Sequence, residues 1–66
     1  MDFIEKARVR LDHWIHHNNH HMEEYELFAD QLDNAGKSAS ARYVREMIAC
    51  TQKSAECLKN ALKELE

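Results

Sequence analysis

A chain with no proline and a single glycine has one natural place to turn, and here that place is Gly36. Proline and glycine are the strongest local breakers, so the segments on either side are free to run as long helices. The same scarcity excludes a turn-dense β fold or a loop-rich disulfide scaffold. Asp2, three residues ahead of Glu5, has the spacing of an N-cap with a capping-box-like partner. Asn34-Ala35-Gly36-Lys37 reads as the end of the first helix, with Gly36 left-handed just past the cap. Ser38 or Ser40 then caps a second helix rich in Ala, Leu, Lys and Glu, all strong helix formers. The expectation is all-α, with helices over about 3–34 and 39–65, each roughly 40–48 Å long, folded back as an antiparallel two-helix hairpin. Residues 1–66 form a single domain on this reading.

Seven-residue periodicity supports the hairpin. In the first helix the a positions are Ile4, Leu11, Asn18, Tyr25 and Leu32, and the d positions are Ala7, Trp14, His21 and Phe28. Ile15, Met22 and Ala29 widen that stripe at e. In the second, Ala41, Ile48, Ala55 and Leu62 fall at a, with Val44, Thr51, Leu58 and Leu65 at d. This is the seam of a bundle or coiled coil.

The second helix has more apolar surface than one partner needs. Tyr43, Met47, Cys50, Ser54, Cys57 and Ala61 form a further stripe at g and c positions. Burying it against a second copy gives a homodimeric four-helix bundle. The alternative is a monomeric hairpin with one apolar side, and isolated hairpins of this size are marginal. Cys50 and Cys57 are expected to be reduced and buried, in a cytoplasmic setting. On one helix their Cα atoms stand about 10.5 Å apart along the axis, beyond the roughly 7 Å reach of a disulfide.

Charge disfavours nucleic acid. The formal balance is −3, and Lys and Arg alternate with carboxylates at helical spacings, as in a solvated face, with no basic stripe. No apolar run approaches the roughly 18 residues of a membrane span. Met1-Asp2-Phe3-Ile4-Glu5 lacks the basic start and apolar stretch of a signal peptide, so a cytoplasmic location is expected.

Residues 13–21 hold five histidines, His13, His16, His17, His20 and His21. Their interruption by Trp14 and Ile15, and their fit to the heptad, distinguish them from a purification tag. His13, His17 and His21 follow i, i+4, i+8 along one side of the helix, while His16 and His20 form a second pair turned toward solvent. Two imidazoles at i, i+4 can share one Zn²⁺ or Ni²⁺ ion. One ion cannot take all three, because the outer two are about 12 Å apart. A site therefore uses one adjacent pair plus ligands from elsewhere. His21 sits at d and Asn18 at a, with His17 flanking at g. Folding about Gly36 places His21 near Thr51 and Asn18 near Ser54, with Cys50 and Cys57 within reach. Glu24 is a candidate ligand or an acceptor for an imidazole N–H. The competing reading is structural: a polar layer of Asn18, His21, Thr51 and Ser54 that sets register and oligomeric state. Fully protonated histidines would carry the formal charge from −3 to +2, which suggests a pH-responsive switch as a third reading.

Catalysis finds no support. There is no glycine-rich phosphate loop and no nucleophile elbow, and no histidine follows a Glu by three residues as di-iron bundles require. The expectation is a protein that is not an enzyme.

Leu11-x-His13-Trp14-Ile15-x-His17-Asn18-x-x-His21-x-x-x-Tyr25 resembles the core motif of a group of small, uncharacterised helical-hairpin domains of anaerobic bacteria and archaea. Some members of that group accompany nickel-associated proteins, so the resemblance implies a Ni or Zn ion. It points to His13, Trp14, His17, Asn18 and His21, and leaves His16 and His20 on variable positions. Two functions therefore stand from sequence. The first is a metal-binding accessory role with His17 and His21 as ligands and His13 as a third. The second is a dimerisation or protein-interaction module with a register-setting Asn18/His21 layer.

Overall fold

The computed structural model describes residues 2–65 and consists of two helices, α1 (Phe3–Asn34) and α2 (Ser38–Glu64). They pack along their length as a hairpin measuring 51 × 16 × 11 Å. Among the described residues, no helix is long and apolar enough to cross a membrane.

Local chemistry fixes both ends of α1. The Asp2 carboxylate accepts a hydrogen bond from the Glu5 backbone N–H at 2.9 Å, satisfying one of the donors that a helix start leaves free. At the other end Gly36 has φ +79°. Its N–H donates to the Asp33 carbonyl at 3.0 Å, and the Lys37 N–H donates to the Leu32 carbonyl at 2.8 Å. These paired bonds are a Schellman motif, which needs the left-handed residue that glycine supplies. The turn is so tight that Lys37 occupies the N-cap position of α2, without a side-chain cap bond. Ser38 and Ser40, expected as caps, are already inside the helix.

The seam on α2 is the expected one. Ala41, Ile48 and Ala55 are buried, and Val44, Thr51, Leu58, Leu62 and Leu65 are half-buried between and beyond them. On α1 the seam is rotated. Ile15 and Ala29 are buried, with Leu11, Asn18, Met22, Tyr25 and Leu32 half-buried beside them. The contact line thus runs along the a and e positions, while two of the expected d residues, Trp14 and Phe28, remain 48% and 52% exposed. Size explains the rotation: Ala29 and Ala41 are wholly buried, so the backbones approach closely where small residues face each other. Indole and phenyl rings in that line would hold the helices apart. Ile4 is also exposed, because α1 is longer than α2 and its first turn overhangs.

One arginine makes interhelical ion pairs that the charge pattern along either helix does not contain. The Arg45 guanidinium reaches Asp33 at 2.7 Å and Asp30 at 3.0 Å, tying α2 to α1 near the turn. Hydrogen bonding to Asp33, and then to Asp30, raises the Arg45 pKa above its ordinary value. This charged edge lies on the side of the hairpin opposite Trp14.

Candidate functional site

Each step of four residues on a helix advances the side chain by about 40° around the axis. The series His13, His17, His21, Tyr25 therefore winds from solvent into the seam, and its burial follows: His13 and His17 are exposed, His21 and Tyr25 half-buried. The rings touch in sequence. His13 and His17 stack with centroids 5.4 Å apart, and His17 meets His21 edge-on at 4.8 Å. His21 stacks on Tyr25 at 5.9 Å. Tyr25 and His17 thus hold the His21 ring from both sides.

A shallow groove of about 800 Å³ runs between the helices at this height. Its α1 wall is Trp14, His17, Asn18 and His21. Its α2 wall carries Cys50, Ser54 and Cys57, with Lys53 at the edge and Leu58 below. Two imidazoles and two free thiols therefore open into one space. Both cysteines are free and, against the expectation of burial, exposed, because their flank of α2 faces the groove and not the seam.

Of the three histidines expected as ligands, the groove brings His17 and His21 together. His13 lines a separate depression with Lys6, Val9 and Arg10, shared only through Trp14. Glu24 stands where the spacing placed it, with a carboxylate oxygen 3.3 Å from His21 Nδ1 and 3.6 Å from His20 Nε2. A carboxylate on Nδ1 orients the ring and leaves Nε2 as the nitrogen for a metal. His16 lies beside Asp12 at 3.6 Å, and both it and His20 are strongly exposed. Among the described residues, no three His, Cys, Asp or Glu side chains converge on one point suited to an ion. A single chain thus brings two imidazoles, and not a full ligand set, to this groove.

Of the expected polar layer, Asn18, His21 and Thr51 are half-buried and Ser54 is exposed, and the Thr51 hydroxyl does not knit the layer across the seam. That hydroxyl donates to the Met47 carbonyl of its own helix at 2.9 Å, a bond that serines and threonines commonly make inside helices.

These features define a class: a two-helix hairpin with a histidine-lined groove on one broad face. The chain belongs to the family described as "Domain of unknown function (DUF8180)", whose family model matches residues 7–65 and so takes in all of α2, all but the first turn of α1 and the whole histidine series. No curated protein and no solved structure matches the chain.

Proposed function

We propose that this is a cytoplasmic, non-enzymatic accessory protein that binds a transition-metal ion, Ni²⁺ or Zn²⁺, through His17 and His21. The observation that carries the reading is the placement of these rings on successive turns, 4.8 Å apart, in one groove with two free thiols. Imidazole nitrogens suit both ions, and thiolates favour zinc. Glu24 acts on His21 as an orienting acceptor, and Asn18 lines the groove between the two ligands. His13 belongs to the series as an outer ligand that can exchange with His21 for a place beside His17.

Calorimetric titration of untagged protein with Zn²⁺ and with Ni²⁺ tests this. Micromolar or tighter binding that a His17→Ala/His21→Ala pair abolishes, with helical content unchanged, is the expected result. Absent binding, or weak binding that survives both substitutions, overturns it. A second reading is the interaction module, favoured by the shared half-burial of Asn18, His21 and Thr51 at one height. It expects His21→Leu to fold and to gain stability, as replacing a partly satisfied polar layer by packed apolar groups often does.

A further inference from the structure

We infer that the groove face is covered by a second copy of this chain, related by a two-fold axis that crosses both helices at the height of His21. The rotation of the α1 seam puts Trp14, His21 and Phe28 in one line, seven residues apart, on the open face. Tyr43 and Met47 stand exposed on the same side of α2, together with both cysteines. The hairpin therefore presents one broad apolar face, while its other long edge carries Arg45 with Asp30 and Asp33.

Area identifies the occupant. A folded monomer of 7.8 kDa is expected to expose about 4,400 Å², whereas this hairpin exposes 5209 Å². The surplus is about 800 Å², which is what each partner contributes to an interface of standard size. Among the described residues only five are buried, and three of them are alanines, so one layer of two helices has little more core to offer.

Symmetry gives the arrangement. A two-fold interface is self-complementary, so residues equidistant from the axis must pair. Trp14 and Phe28 are each seven residues from His21, so an antiparallel crossing of α1 on its own copy sets the indole of one chain against the phenyl ring of the other. On α2 the same height falls near residue 52, since Cys50 and Ser54 share the groove with His21. Met47 and Cys57 are each five residues from that point, and Cys50 and Ser54 each two. Both helices are therefore symmetric about one level, and an axis there packs α1 on α1 and α2 on α2. The two His21 rings then meet at the centre. This assembly does not depend on a metal.

Sedimentation equilibrium of the full chain, with chelator and reductant present, reads the association directly. A dimer with a micromolar or tighter dissociation constant is expected. Loss of one aromatic anchor weakens binding at least about 30-fold, and a two-fold interface holds each substitution twice, so Trp14→Ala lowers affinity on the order of 1,000-fold. Register is read by crosslinking in a Cys50→Ser/Cys57→Ser background. There, His21→Cys oxidises to a covalent dimer. Trp14→Cys pairs with Phe28→Cys in a mixture of the two and fails to pair with itself. Circular dichroism of each variant separates lost association from lost folding. A folded monomer throughout the concentration range, a dimer that forms only with added metal, or Trp14→Cys pairing with itself overturns the proposal. A metal titration that fails while the chelated dimer persists overturns the metal reading alone.

Discussion

Replacing Gly36 by alanine isolates the contribution of one backbone conformation. A methyl group at this position meets no atom within 4 Å, so it causes no clash with the rest of the fold. The cost comes from φ +79°, where an L-residue brings its Cβ against its own backbone. That penalty is about 1–2 kcal/mol. For a domain of this size about 1 kcal/mol moves the midpoint by roughly 4–8 °C, so Gly36→Ala should lower the thermal midpoint by on the order of 5–15 °C. Gly36→Asn should lose less, since asparagine tolerates the left-handed region. D-Alanine, introduced by chemical synthesis, should raise the midpoint, because it prefers positive φ and narrows the unfolded ensemble. The assay is helical circular dichroism against temperature at one fixed protein concentration, since the midpoint of any self-associating chain depends on concentration. An L-alanine variant as stable as the parent, or a D-alanine variant less stable, would refute the Schellman turn as the joint of the hairpin.

Ile48→Ala should cost about 2–5 kcal/mol, measured by urea denaturation, because Ile48 is, with Ile15, one of the two large side chains buried in the seam among the described residues. Ala41→Leu should destabilise by about 1–3 kcal/mol through overpacking, since Ala41 is wholly buried where the backbones lie closest; a stabilised variant would show that the helices part easily there. Arg45→Met should lower stability slightly at low salt and not at high salt, compared by paired melts, because its ion pairs with Asp30 and Asp33 are exposed. With the Arg45 pKa raised by those partners, its contribution holds below the ordinary guanidinium range and is lost only as pH rises above it.

The turn and both helices could be read from sequence because their causes are local. One glycine in a proline-free chain, followed by Ala, Leu, Lys and Glu, leaves little choice of where helices end. The α2 seam was legible for the same reason, since Ala41, Ile48, Ala55 and Leu62 repeat every seven positions, while the flanking stripe through Tyr43, Met47 and the cysteines is broken by Ser54. On α1 the d and e positions both carry apolar residues, so periodicity left two adjacent lines open. Which line faces α2 depends on how near Ala29 and Ala41 bring the backbones, a pairwise fact that one helix does not contain. The same rotation decides that Cys50, Cys57 and Trp14 border an open groove. The histidine ladder was legible in spacing, and so was the placement of Glu24. That His17 and His21 share the groove while His13 faces another depression follows from the 40° advance per step, measured against a seam whose direction only the packing sets. The Arg45 ion pairs are not legible in sequence because their partners are twelve and fifteen residues away, across the turn.

The three-residue joint between the helices also orders events in time. Ala29 and Ala41 close a loop of about a dozen residues, and each further turn of the hairpin enlarges that loop only slightly. Pairing therefore spreads outward from Gly36, and amide protection should decline steadily toward Phe3 and Leu65. His17 and His21 lie midway along this gradient. On this gradient the end of the hairpin away from the turn should open more often than the turn itself, without the chain unfolding as a whole.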